Sequence, residues 1–259
     1  MVGTFRVDYA NIRGLRSNFC DVYNVHVQNR PAKQALGETQ ISENSDCSEF
    51  NVNGYYLVPL FFSHHGLAIY IRNDVAYKLQ PQYGLCVNTN FNFMWLKFTV
   101  NKRIIHTCFI YRSPNLDSNS TSNEFDALSD SIQRIVSLYP HTEIVITGDF
   151  NVHNSSWLRY FGQTTPEGRY VEIFAELNHL TQLVDKPTRI SDVVGQAENT
   201  LDLFLTSDPD KYTVSVLSPL VKEKSPKRTV WQYEKSNWDN RLSTKIVYRN
   251  MGHILSVAD

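Results

Sequence analysis

Neither sign of charge is in excess in this sequence. Lys and Arg number 25 against 26 Asp and Glu, a formal net charge of −1. That balance excludes a bulk electrostatic drive towards nucleic acid or membrane, so any such partner must be met by a local patch. Cysteine is sparse: Cys20, Cys47, Cys86 and Cys108 lie far apart, with no CxxC and no Cys/His zinc spacing. Free thiols in a reducing compartment are therefore expected. No stretch approaches roughly 18 apolar residues, so no membrane span is expected. The amino terminus has no apolar signal-peptide core, which points to an intracellular protein, nuclear or cytoplasmic, rather than a secreted one. Internal repeats and low-complexity tracts are lacking too. What is present is core-forming material. With 259 residues, 42% of them apolar and 12% aromatic, the chain can bury a sizeable interior as one large domain or two small ones.

The apolar spacing alternates between strand and helix periods. Phe5-Arg6-Val7-Asp8-Tyr9 reads as a first strand, followed by the polar-ended loop Ala10-Asn11-Ile12-Arg13-Gly14-Leu15. Ser17 is positioned to cap a helix over 18–29, with Phe19, Val22 and Val25 inward. A strand should precede Glu38, although Lys33 and Gln34 interrupt its apolar run. Residues 42–54 read as loop, 66–71 as a strand, and 94–100 with 104–111 as a hairpin turning at Asn101-Lys102. Thr121 and Glu124 fit a capping box ahead of Phe125, Leu128, Ile132, Ile135 and Tyr139, the stripe of an amphipathic helix. The β-branched burst Ile144–Thr147 ends in Gly148-Asp149-Phe150-Asn151. A further helix is expected over about 168–180 with Val171, Phe174, Leu177 and Leu180 inward, then a strand around Leu201–Leu205. After Pro219 the chain becomes basic, with Lys222, Lys224, Lys227 and Arg228, and reads as a linker. The mixture implies a layered α/β or α+β fold rather than a simple βαβ wind.

Polar groups fall at several strand ends. Asn11 follows the first strand, Glu38 precedes Thr39-Gln40, Tyr111-Arg112-Ser113-Pro114 follows the hairpin, and Asp149 and Asn151 follow Gly148. Asp202 lies inside an apolar strand, a costly place for a carboxylate unless it is paired or liganding. Singly, each has a bland reading: turn residue, surface charge, hairpin packing, helix cap or solvent-facing edge. Together they form a set of hard oxygen ligands suited to Mg²⁺, which binds one or two carboxylates and keeps several waters. Asp149 would deprotonate an attacking water, with Asn11, Asn151 and Tyr111 hydrogen-bonding the oxygens of a phosphodiester. Arg13, Arg16, Arg72 and Arg112 are either a local basic surface or solvated charge. His64-His65 reads as a loop entering a strand, and Trp95 and Trp157 as core.

These segments, with Asn199-Thr200-Leu201-Asp202-Leu203-Phe204-Leu205-Thr206, occur in the order found in endonuclease/exonuclease/phosphatase domains. The sequence most resembles the apurinic-like endonuclease domain of jockey-type non-LTR retrotransposons, over roughly residues 4–220. The resemblance implies a four-layer sandwich of two facing mixed β-sheets flanked by helices. It implies a domain at 1–220 followed by a linker-like tail at 221–259, and a monomeric protein that nicks DNA with Mg²⁺, or Mn²⁺ as a substitute, and no small-molecule cofactor. It assigns Glu38 as metal ligand, Asn11 to the ligand shell, Tyr111 to the phosphate, Asp149 as general base, Asn151 as phosphate-orienting residue and Asp202 as a residue that positions the site. Arg13, Arg112 and Thr188 become DNA contacts. The same core also serves phosphoesterases of small substrates.

One departure bears on activity. The family closes its site with a Ser-Asp-His motif, whereas Val214–Leu220 here leads into Val221-Lys222-Glu223-Lys224-Ser225-Pro226 without an Asp-His pair. Loss of one oxyanion donor typically lowers turnover by roughly 10²–10³. Slow or absent cleavage is the expectation, with a catalytically inactive nucleic-acid- or protein-binding remnant as the rival reading.

Overall fold

In a computed structural model, residues 5–62, 65–87, 90–100, 102–160, 163–189, 198–217, 220, 230–236 and 243–249 are described. The elements run β1 (Phe5–Asn11), α1 (Leu15–Asn29), β2 (Lys33–Gly37), β3 (Tyr55–Phe61), β4 (Gly66–Arg72), β5 (Tyr77–Leu79), β6 (Leu85–Val87), β7 (Phe91–Val100) and β8 (Arg103–Arg112). They continue with α2 (Ser118–Leu138), β9 (Glu143–Asp149), α3 (Pro166–Leu177), β10 (Thr181–Gln182), β11 (Asp202–Thr206), β12 (Thr213–Leu217), β13 (Val230–Ser236) and β14 (Ser243–Arg249). Two seven-stranded sheets result. The first has the order β12-β14-β13-β1-β2-β4-β3; the second has β10-β11-β9-β8-β7-β5, with β6 also on β7.

Side-chain alternation explains the layering, because neighbouring strand residues face opposite sides. Val145 of β9 joins a cluster with Val7, Tyr9, Ala35, Ile69, Leu96, Phe109 and Phe204, the interior between the sheets. Ile144 and Ile146 face the other way, against Phe125, Leu128, Ile132 and Ile135 of α2 and Val171 and Phe174 of α3. On the far side, Ala10, Leu36 and Ala68 pack against Leu15, Val22 and Val25 of α1. The order of layers is thus α1, sheet, sheet, then α2 with α3. This is the four-layer sandwich the sequence implied.

The expected boundaries shift where backbone groups find partners that local sequence does not reveal. Helix α1 begins at Leu15, not after Ser17. The Leu15 amide donates to the Thr39 carbonyl (2.7 Å), and the Ser17 hydroxyl turns back to Gly14 O (3.1 Å) instead of capping. Helix α2 is capped by Asp117, which accepts from Ser120 N, so it starts before the expected Thr121–Glu124 box. Helix α3 starts at Pro166 under a Thr165 cap, and Leu177, expected inward, is 74% exposed at its end.

Two findings depart further. Lys33 and Gln34, which interrupt the apolar pattern, are both buried in β2, with Lys33 Nζ over the Phe98 ring at 3.2 Å. The cation–π contact lets a lysine occupy an interior strand position. The tail, expected to be a linker, contains β13 and β14. β13 lies antiparallel to β1, with Tyr9 opposite Trp231, and so covers the edge that β1 would otherwise expose. The basic stretch 221–229 lies outside the described residues.

Candidate active site

Strand register collects the candidate side chains at one end of the slot between the sheets. Tyr111 pairs with Asp149 where β8 and β9 run parallel, and Asp202 pairs with Asp149 where β11 runs antiparallel. All three share the facing of Phe109, Val145 and Phe204, so they project into the inter-sheet layer. From the opposite sheet, Asn11 has the facing of Val7 and Tyr9, and Gly37 beside it delivers Glu38 as the next residue. Gly148 is required for this convergence. A Cβ there would lie 1.8 Å from Ile110 O, at a φ of +149°.

The loops are sewn together by main-chain bonds. Ile12 N donates to Gly37 O, Gly14 N to Glu38 O and Gln40 N to His65 O, at 2.8–3.0 Å. Arg13, Glu38, Gln40 and Asn151 all take a left-handed backbone with φ of 42–52°. Such conformations are uncommon outside glycine and persist only where surrounding bonds enforce them.

The central contact is an amide between two acids. Asn11 Nδ2 donates to Glu38 Oε1 (2.8 Å) and to Asp149 Oδ2 (2.9 Å). Asn151 N donates to Asp149 Oδ1 (3.2 Å), and Asn151 Nδ2 to the Arg112 carbonyl (2.8 Å). The Thr188 hydroxyl accepts from Leu201 N (2.9 Å) and Asp202 N (3.0 Å), setting the start of β11. Asp202 Oδ1 is buried and has no hydrogen-bond partner among the described residues.

The electrostatics follow from burial and crowding of like charge. Burial first, then the Glu38 carboxylate, push the Asp149 carboxyl up to about 7, against the hydrogen bonds from Asn11 and Asn151. Burial and then Asp149 hold the Asp202 carboxyl well above the usual carboxylate range. Burial, Asp149 and Glu38 also raise the Tyr111 hydroxyl, which stays a donor at neutral pH. Tyr9, beneath the acids, is raised by burial and by Asp149, Asp202 and Glu38.

A divalent cation would relieve this crowding, and the hard oxygen donors of Glu38 and Asp149 suit Mg²⁺. No group of three His, Cys, Asp or Glu residues close enough to hold a metal occurs among the described residues. Two protein carboxylates are therefore the available set, a number Mg²⁺ accepts when water and substrate phosphate complete its shell.

The arginines separate into different roles. Arg13 Nε lies 3.8 Å from Glu38 Oε2 at the rim of the site, whereas Arg16 pairs with Glu49 and Arg72 with Asp74. Arg112, considered as a DNA contact, is 1% exposed. Its guanidinium donates to Thr121 Oγ1 (3.0 Å), Asn151 O (3.0 Å) and Leu116 O (2.6 Å), so it braces the Asp149 loop from within. Thr188 is likewise fully buried, its hydroxyl engaged with both the backbone and the carboxyl of Asp202. Sequence reasoning passed over two neighbours. His65 stacks on Tyr111 with centroids 4.7 Å apart and planes at 26°. Exposed Arg189 acts electrostatically on both Arg13 and Asp202. Arg189 had a signal in its adjacency to Thr188; His65 had none beyond its place before Gly66.

Residues 105–225 match the sequence model of a family described as endonuclease-reverse transcriptase. The fold is similar to the endonuclease domain of TRAS1, a telomere-specific non-LTR retrotransposon, at 16% identity and a TM-score of 0.63, covering 88% of this chain and 96% of that one. The chain has the fold seen in endonuclease/exonuclease/phosphatase proteins. A 3'-5' exonuclease from Neisseria meningitidis aligns at 16% identity and a TM-score of 0.66, over 90% of this chain and all of its own. The catalytic domain of Xenopus laevis APE2 aligns at 12% identity and 0.64, over 96% and 94%. No curated protein matches the chain in sequence. The fold is thus similar to that of a retrotransposon endonuclease, and the partial sequence match points the same way.

Proposed function

We propose that this domain is a divalent-metal-dependent DNA endonuclease of non-LTR retrotransposon origin, slowed by loss of the Asp-His pair. The observation that carries the reading is the Asn11 amide spanning Glu38 and Asp149, which joins the two sheets at one buried acidic point. Bound between those carboxylates, Mg²⁺ or Mn²⁺ would supply polarisation of a phosphoryl oxygen and charge for the leaving oxygen. The rest is done by the chain. Asp149, held near neutrality in its proton affinity, accepts the proton of an attacking water. Tyr111 donates its hydroxyl proton to a phosphate oxygen. Asn151 commits one amide N–H to Arg112 O and offers the other to the phosphate. Arg13 borders the entrance as a backbone-phosphate contact for DNA. The free Cys20, Cys47 and Cys108 support action inside the cell.

Nicking of supercoiled plasmid tests the reading. Slow, metal-dependent conversion to open circle that disappears in Asp149→Ala is expected. Cleavage unaffected by that substitution would refute it. One observation favours a second reading, an inactive domain that binds nucleic acid: Asp202 Oδ1 lacks a hydrogen-bond partner among the described residues. Its signature is DNA binding without metal-dependent nicking at any enzyme concentration.

A further inference from the structure

The loop before β4 brings an imidazole to the rim of the acidic site. His65 lies with its ring nearly parallel to that of Tyr111, at a centroid distance of 4.7 Å. Its main chain is fixed by the Glu38 turn: Gln40 N donates to His65 O at 2.8 Å, and Thr39 Oγ1 to the same oxygen at 3.3 Å. Gly66, the next residue, sits so close that a Cβ would meet Thr39 Oγ1 at 2.7 Å. His65 is therefore held between the two residues that follow Glu38, Thr39 and Gln40, on the main-chain side and Tyr111 on the ring side. The residue is half-buried.

Stacking of this kind places two rings that each carry a polar donor, the Tyr111 hydroxyl and an imidazole N–H, in direct contact at the same rim. With hydrogen bonds of about 2.8–3.0 Å, such a pair can take two oxygens of a single phosphate. The neutral ring suffices, because one of its nitrogens always carries a proton. We propose that His65 is a phosphate-contacting residue of this site, acting beside Tyr111 on the DNA backbone. The role rests on the reading of the domain as a DNA-acting nuclease. It supplies a donor in a chain that lacks the closing Asp-His pair.

Two substitutions separate the ring from its N–H. His65→Phe keeps a flat ring on Tyr111 and removes the donor; His65→Gln keeps an N–H and removes the ring. Anisotropy of a fluorescein-labelled DNA duplex, with Ca²⁺ in place of Mg²⁺, reads the affinity. His65→Phe should weaken binding about tenfold, the scale of one hydrogen bond to a charged group, and His65→Gln should stay within about threefold of the parent. Equal binding by His65→Phe and the parent overturns the proposal. So does an equal loss in both variants, which would mean the ring is only structural. Should either variant fail to fold, imidazole ¹⁵N resonances of the unsubstituted protein decide: a shift on adding duplex supports the contact, and unmoved His65 signals overturn it. Failure of the nuclease reading is seen separately, as nicking insensitive to Asp149→Ala.

Discussion

Replacing Asp149 by Asn should make the fold more stable while destroying nicking. The side chain is 5% exposed, and burial together with Glu38 raises its carboxyl from 3.8 to about 7. In the unfolded chain that carboxyl ionises near its ordinary value. Between pH 4 and 7 the unfolded state therefore holds fewer protons than the folded one, and stability falls as pH rises through that window. Each tenfold difference in proton affinity is worth about 1.4 kcal/mol, so the accumulated penalty above pH 7 is about 4 kcal/mol. Asparagine carries no charge to desolvate. It keeps an oxygen that can accept from Asn11 or Asn151 but not both bonds as drawn, a loss of about 1 kcal/mol. The net gain at pH 8 is about 3 kcal/mol, or roughly 6–12 °C in Tm for a chain of this size. Melts from pH 4 to 8 in EDTA measure it. The gain should shrink towards zero at pH 4. Added Mg²⁺ should raise the Tm of the parent more than that of Asp149→Asn, because the cation relieves a repulsion only the parent has. A lower Tm for Asp149→Asn at pH 8, or a difference independent of pH, would refute the reasoning.

Other perturbations test other parts of the structure. Arg112→Ala leaves the carbonyls of Leu116 and Asn151 without their buried donor and should destabilise by about 3–5 kcal/mol in urea unfolding, with nicking lost. Gly148→Ala forces a methyl group into Ile110 O and should yield protein that is largely insoluble or unfolded by circular dichroism. His26 is buried with its imidazole lowered to about 4 by desolvation, against the bond to Val22 O. The folded state therefore resists a proton that the unfolded state takes up below about pH 6.5, and stability is lost as pH falls from 6.5 to 4. His26→Phe should flatten that acid limb relative to the parent in pH-dependent melts.

Much of the fold was legible because its layers are two-sided. The alternation of Ile144, Val145 and Ile146 separates a helix-facing surface from an inter-sheet surface, and the stripe of Phe125, Leu128, Ile132 and Ile135 identifies the helix that covers the first. Helix starts were less legible. The Leu15 amide is satisfied by Thr39, a residue no local capping rule would connect to it. β13 was missed because its role depends on the edge of β1, more than 200 residues earlier in the chain. For the candidate site, residue types at strand ends singled out Asn11, Glu38, Tyr111, Asp149 and Asp202, and register places these residues together. What composition could not show is direction. Arg112 reads as an exposed cation in a turn, yet its fork is consumed by carbonyls inside the protein. His65 becomes visible only when the Thr39-Gln40 turn and Tyr111 of β8 meet it.

Manganese binding followed by electron paramagnetic resonance addresses the acidic centre itself. Titration of the parent protein should reveal one Mn²⁺ per chain, with affinity at least tenfold weaker in Glu38→Gln and in Asp149→Asn, because each removes one of two carboxylates held by Asn11. Equal affinity in all three proteins, or no bound Mn²⁺ in the parent, would contradict a cation site at the junction of the two sheets.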